Sequence, residues 1–406
     1  MANTILTATA VTREALRILH QKLNFIGKIN RQYDDSYAKD GAKIGDSLKI
    51  RLPNQYTVRT GAALSAQDTI ESSVTLQVAT QKGVDVNFTS AELTLDMDDF
   101  SERVLEPAMS VLAANIESDA MSMYKYVYNE VSDVGASATL ADILSTAKVL
   151  TDSLSPVSQR CLNLNTTDNA DLVNAISGLF NDPAKISKQY REGMVANDFL
   201  GFKEVYQNTL WPIHTTGTDD GTGDYLVNDA GTIAEGSTSL TIDTGAGTFL
   251  QGDIFYLASV FRVHPETKVS TGVLQPFVVA ANTGTSATTI SFTPALYSSG
   301  AKQNVNAMPA NNAALSKLES DRSTAIGASA DYGISLAHHK DAFAFATADL
   351  IKPNGVDFCA REVMDGISMR IVRDYDINND KLPCRLDVLY GYKAIRPELA
   401  CRLGLN

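Results

Sequence analysis

Four aspartates, Asp219, Asp220, Asp224 and Asp229, fall in one short stretch, TTGTDDGTGDYLVNDAG, at residues 215–231. Clustered carboxylates are the ligands that hard cations take, so calcium is the first chemistry to weigh. A helix–loop–helix calcium site needs acids at alternate positions, a central glycine and a glutamate at the twelfth place. These aspartates do not keep that spacing. The stretch has no helical period, and Tyr225, Leu226 and Val227 are its only large apolar group. It reads as a linker leading into an inserted β segment.

Other chemistry is equally thin. His338 and His339 are adjacent, so they point apart on any regular element, and no HExxH or third ligand accompanies them. Cys161, Cys359, Cys384 and Cys401 form no CxxC pair and have no histidine at zinc spacing, so buried, reduced thiols are expected. There is no GxGxxG, GxxxxGK[ST] or GxSxG motif. Five histidines leave few general bases. No pair of carboxylates is placed in a cleft by the sequence itself. The expectation is a protein that is not an enzyme, with no catalytic, cofactor-binding or metal residue.

The elements behind these residues must then carry the function. A chain of 406 residues exceeds one ordinary core, so two or three units are expected. The formal net charge of −13 disfavours tight nucleic-acid binding, though not enclosure of nucleic acid. Thr and Arg interrupt the N-terminal MANTILTATAVTREALRILHQ, which is not expected to be a signal peptide. No window approaches the ~18 apolar residues of a membrane span. A soluble product made in the cytoplasm is expected.

Residues 12–24 read as an amphipathic helix with Thr12 as N-cap and Ala15, Leu16, Leu19 and Leu23 on one stripe. Residues 1–33 hold Arg13, Arg17, Lys22, Lys28 and Arg31 against Glu14, a local charge of +4. That is either a solvated face or a docking surface for an acidic partner. Residues 46–59 and 73–88 alternate like strands and suggest a long two-stranded arm, with Pro53 at an edge or bend. A lone hairpin is marginal in water, so a neighbouring subunit is a natural support. Residues 99–128 read as one long helix with a capping-box start at Asp99 and Glu102 and a bend at Pro107.

Helices are expected at LADILSTAKVLTDSL and TDNADLVNAISGLF, and strands at CLNLN and GFKEVYQNTL. Beyond the aspartate-rich stretch come short β runs, STSLTIDT, GDIFYLA, VFRVH, PFVVAA and TTISFTPAL, which suggest a small barrel or sandwich. Helical and mixed signals resume at DAFAFATADL. GISMRIVRDY and CRLDVLYGYKA close the chain as strands joined by the turn DINNDKLP.

This ordered set resembles the major capsid (coat) proteins of tailed bacteriophages, with the Hong Kong 97-type fold. Within them it is similar to the short-tailed-phage branch whose coat carries a telokin-like inserted β domain. The likeness is carried by LTATAVTREALRIL, GDSLKIRLP, GTFLQGDIFYLASVFRVHPETKVSTGVLQPFVVAA and LYGYKAIRPELACRLG.

The resemblance implies an α+β fold in seven parts. These are an N-terminal arm (1–40), an extended β-hairpin loop (41–92), and a peripheral domain with a spine helix (93–135). An axial domain (136–216) follows, then an inserted β-barrel domain (217–318), the axial return (319–365) and terminal strands returning to the peripheral domain (366–406). It implies hexamers and pentamers in an icosahedral shell assembled in the host bacterial cytoplasm. It also implies a scaffolding protein and a portal protein as partners, and double-stranded DNA enclosed without sequence-specific binding. No membrane or cofactor is implied. Arg13, Arg17, Lys22, Lys28 and Arg31 would dock the scaffold. Tyr56, Arg59, Asp68, Asn228, Asp229 and Glu235 would touch neighbouring subunits. The competing reading is a β-rich surface adhesin or binding module with an acidic metal loop.

Overall fold

The computed structural model describes residues 8–33, 47–64, 66–69, 71–88, 106–176, 194–199, 201–229, 231, 233–319, 324–356, 358–364, 367–376 and 382–406. The chain is mixed α+β and divides into two units.

The first unit comprises residues 1–51, 73–122 and 343–395. Its sheet is ordered Asn30–Tyr33, Phe343–Ala348, Leu382–Ala394, Ile367–Arg373, Phe358–Met364, and Thr80–Phe88 also pairs with Leu382–Ala394. Helix α1, Ala8–Lys22, buries Ala15, Leu16, Ile18 and Leu19 against the sheet and against α2, Glu106–Met121. Those apolar residues recur at three- and four-residue steps, which is why this face turns inward. Thr12 lies inside α1 and is buried, so it is not the N-cap. Polar groups pin α2. Glu117 Oε1 accepts from the Phe25 N–H. Asp119 Oδ2 accepts from the Tyr390 hydroxyl at 2.5 Å and meets Lys82 Nζ at 2.7 Å.

Several expectations change here. The Asp99–Glu102 helix start lies outside the described residues, as does most of the DINNDKLP turn. The long helix does not run on to residue 128: α2 gives way to a 3-10 turn at Ser122–Tyr126. The expected long arm is shorter. Ser47–Arg51 pairs with Ser73–Gln77 over five residues, whereas Thr80–Phe88 pairs with Leu382–Ala394 over nine. The alternation from 73 to 88 is real, but it serves two different partners. DAFAFATADL contains the strand Phe343–Ala348, buried throughout. A strand covered on both faces loses alternation, and Ala and Phe then mimic a helix.

The second unit comprises residues 52–72, 123–342 and 396–406. A seven-stranded sheet runs Glu130–Ser132, Ala400–Leu405, Asp331–His339, Arg160–Leu164, Phe202–Gln207, Met194–Phe199, with Ile213–Thr215 also paired to Asp331–His339. Helices α3, Leu140–Asp152, and α4, Thr166–Ile176, cover it, and Ile143, Leu150 and Leu172 join Leu162, Leu164, Val205 and Leu403 in one core. Thr139 and Asp142 form a complete capping box at α3. The last strand, Ala400–Leu405, belongs to this sheet, so residues 396–406 do not return to the first unit with the preceding strands.

Within the same unit, six strands form a second sheet: Leu226–Val227, Ser237–Asp243, Thr289–Leu296, Ser270–Val279, Ile254–Val263 and Leu315–Ser316. A Leu226–Ala314 bridge, with Leu315 N donating to Tyr225 O, joins its two ends. Among the described residues the sheet therefore closes on itself as a barrel. GDIFYLA and VFRVH are one bulged strand, not two. Phe249, Phe255, Phe277 and Phe292 fill the lumen with ring centroids 5.3–6.2 Å apart. Burying each ring contributes roughly 1.5–3 kcal/mol.

Candidate functional site

The aspartate-rich stretch is built, not slack. Lys317, which is 1% exposed, sends its ammonium to the carbonyls of Gly217 (3.3 Å) and Asp219 and over the Phe249 ring. Burial pushes the Lys317 pKa down, opposed by Asp253 and Asp219. The cation that this loop takes is thus the chain's own. Asp219 Oδ1 accepts from Gly221 N, and Asp220 accepts from Thr222 N and its hydroxyl. Burial raises the Asp219 pKa, whereas the Thr222 hydroxyl lowers that of Asp220. Gly217 is obligatory, because a Cβ there would lie 1.9 Å from Thr248 O. The neck of the barrel is closed by Thr216 N to Ala330 O and Ser329 N to Gly217 O, both 3.0 Å.

A buried polar junction ties the barrel to the seven-stranded sheet. Asp253, fully buried, accepts from Gly217 N and Leu250 N through Oδ2 and faces His214 Nε2 at 3.0 Å through Oδ1. His214 Nδ1 lies 3.1 Å from the Tyr124 hydroxyl. Arg402 donates from Nη1 to Gly252 O at 2.7 Å and from Nη2 to Glu130 Oε1 at 3.4 Å. The Tyr332 hydroxyl donates to the same Glu130 oxygen at 3.3 Å. Burial alone would lower the Arg402 pKa, but Glu130, Tyr332, Tyr124 and Asp253 together outweigh it and the guanidinium stays charged. Arg402 and Glu130 offset each other's charge, and Asp253 is held by hydrogen-bond donors, which is what a low-dielectric interior demands. Gly252 has φ +101°, and a Cβ there would meet His214 Cε1 at 3.0 Å. Sequence reading missed this junction. Its residues are scattered from 124 to 402, and only adjacency in space reveals them.

The residues singled out from sequence fall in three places. On α1, Arg13 is 3.6 Å from Glu362 and Arg17 makes two bonds to Glu14, at 3.0 and 2.5 Å. Both lie on the exposed face. Lys28 ends a 3-10 turn and Arg31 sits in a strand, each half-buried, and the Lys22 side chain lies outside the described residues. The four described cations are therefore not one bare patch. Tyr56, Arg59 and Asp68 are exposed in the segment joining Ser47–Arg51 to Ser73–Gln77. On the barrel, Asn228 is exposed, and Asp229 Oδ1 accepts from Gly231 N. Glu235 is taken up by Ser298 and Ser299: its oxygens accept from both hydroxyls and from Ser298 N, and these bonds hold its pKa down.

Among the described residues no helix is long and apolar enough to cross a membrane. The family model described as "P22 coat protein - gene protein 5" matches residues 8–403. No curated protein matches the chain. Three solved structures are similar over most of its length. One, from Mycobacterium phage Che8, is 11% identical with TM-score 0.44, covering 94% of this chain and 90% of that one. The capsid of Ralstonia phage GP4 is 7% identical with TM-score 0.46, covering 92% and 86%. The mature capsid of bacteriophage PhiM1 is 8% identical with TM-score 0.41, covering 94% and 87%.

Proposed function

The chain belongs to the P22 coat protein family, and from that membership we infer what its parts do. It is a major capsid protein: its copies assemble with one another into the icosahedral shell of a phage, and its role in the virion is structural. The observation that carries this is the family match over residues 8–403, almost the whole chain.

The finer assignments extend that reading. Hexamers and pentamers form the shell. The exposed segment holding Tyr56, Arg59 and Asp68 lies against the next subunit, and Asn228 and Asp229 of the barrel meet a neighbour across the shell exterior. Glu235 serves the barrel's own Ser298 and Ser299 and shapes that loop from within. A scaffolding protein docks at the basic face of α1. Since Arg13 and Arg17 already have carboxylate partners, an acidic scaffold segment displaces Glu362 and Glu14, an exchange that salt weakens. A portal protein occupies one vertex. The shell forms in the host cytoplasm and encloses double-stranded DNA, and a subunit of net charge −13 does not adhere to it.

Electron microscopy of the purified protein, produced with and without a scaffolding protein, tests the reading. Closed shells of uniform diameter are expected. Monomers alone, across salt and concentration, would overturn it. Arg13→Glu with Arg17→Glu should abolish scaffold-dependent assembly; normal scaffolded assembly by that variant would remove the docking assignment.

A further inference from the structure

The strand pairing of Ser47–Arg51 with Ser73–Gln77 ends at Arg51 and Ser73. One more backbone bond follows, Leu52 N to Ser72 O at 2.8 Å. Beyond it, residues 53–64, 66–69 and 71 are all exposed. A segment so bare is expected to sample many shapes, and fixing one costs ~1–2 kcal/mol per residue in backbone entropy alone.

One side chain works against that. Gln67 Oε1 accepts from Thr57 N at 2.9 Å and from the Thr57 hydroxyl at 3.0 Å, and Gln67 Nε2 donates to Thr57 O at 2.6 Å. Both backbone groups of Thr57 are thereby satisfied, as a paired strand would satisfy them. The Tyr56 hydroxyl, 3.4 Å from Thr69 Oγ1, adds a second cross-link beside it. The tip beyond carries Val58 at 94% exposure and Leu64 at 88%, with Arg59, whose guanidinium donates to the Gly61 carbonyl, as the one charge in the sequence from 58 to 66. Large apolar groups held out on a braced tip are suited to burial by another surface.

We propose that Gln67 is a clasp that sets this arm in its docking shape before a second copy of the chain covers Val58 and Leu64. The proposal rests on the reading above that the arm lies against the next subunit. The occupant is a second copy because the chain's established work is to assemble with itself. Gln67 is a positioning residue: it acts on assembly through Thr57, by lowering the ordering cost of the contact.

The test compares the lowest subunit concentration that yields shells, followed by light scattering and sedimentation, for four variants. Gln67→Ala should leave the urea midpoint of the monomer unchanged, because the side chain is exposed, and raise the critical concentration roughly 3–10-fold, the effect of ordering one or two further groups on docking. Gln67→Glu keeps the acceptor and loses the donor, so a smaller rise is expected. Thr57→Cys with Gln67→Cys, bridged by a bismaleimide, should restore wild-type assembly, since a covalent brace replaces the clasp. Val58→Asp with Leu64→Asp should block assembly.

Wild-type assembly by Gln67→Ala, with the Val58/Leu64 variant blocked, would overturn the clasp and leave the arm reading intact. A defect in Gln67→Ala that the bridged variant does not repair would also overturn it, assigning Gln67 a direct contact instead. Normal assembly by the Val58/Leu64 variant would remove the arm reading itself.

Discussion

Arg402 and Glu130 stand opposite each other on neighbouring parallel strands, and Arg402 Nη2 donates to Glu130 Oε1 at 3.4 Å with 0% and 1% of the two side chains exposed. Arg402 also holds the Gly252 carbonyl, so one guanidinium fastens the barrel to the sheet. Losing one partner leaves a buried charge alone, which costs ~3–5 kcal/mol. Arg402→Met should therefore lower monomer stability by about that much in urea unfolding. Glu130→Gln should cost less, and the double variant should cost less than the two losses added. Strict additivity would mean that the pair is not coupled.

The barrel neck gives a local counterpart. Lys317→Met keeps the apolar stem over Phe249 and takes the ammonium from the Asp219 carbonyl, whereas Gly217 O keeps the Ser329 N–H. A buried carbonyl left unsatisfied costs ~1–3 kcal/mol. Faster amide exchange at residues 217–221 is expected, with protection of Ala400–Leu405 unchanged. Uniform loosening of both sheets would show that the neck and the sheet open as one.

What was legible in the sequence follows from periodicity. The stripe on α1, the helix over 140–152 and the strands at 160–164 and 202–207 each bury one clear face or lie between clear turn signals. Asp331–His339 did not announce itself, although it is a paired member of the seven-stranded sheet, because it is buried on nearly every residue and shows no alternation. The close packing of the aspartate-rich stretch was not legible for a related reason. Its glycines are there for close approach, Gly217 against Thr248 and Gly221 against Lys317, and close packing by glycine looks the same in sequence as slack. The polar junction was invisible because nothing in the spacing of Tyr124, Glu130, His214, Asp253 and Arg402 predicts their meeting.

The start of α3 offers a smaller, cleaner effect. Thr139 Oγ1 accepts from Asp142 N at 3.4 Å, and Asp142 Oδ2 accepts from Thr139 N at 2.9 Å. Thr139→Ala should destabilise the monomer by about 1 kcal/mol. Thr139→Ser should restore most of that loss. A fall that serine does not repair would point to the lost methyl group, not to the cap.

Acid should find a specific weakness at His338. The ring is wholly buried, with Nδ1 3.3 Å from the His339 carbonyl and Nε2 3.4 Å from Asn163 Nδ2. Burial lowers its pKa from 6.5 to about 4. An unfolded chain therefore takes up this proton first as pH falls, and between about 6.5 and 4 the unfolded state binds more protons than the folded one. Stability is complete above that window and drains away within it, by on the order of 3 kcal/mol for this one group. His338→Gln removes the titrating ring and keeps a polar side chain. Urea midpoints at pH 7 and pH 5 should differ less in His338→Gln than in the parent protein. An equal drop in both would place the acid sensitivity elsewhere in the fold.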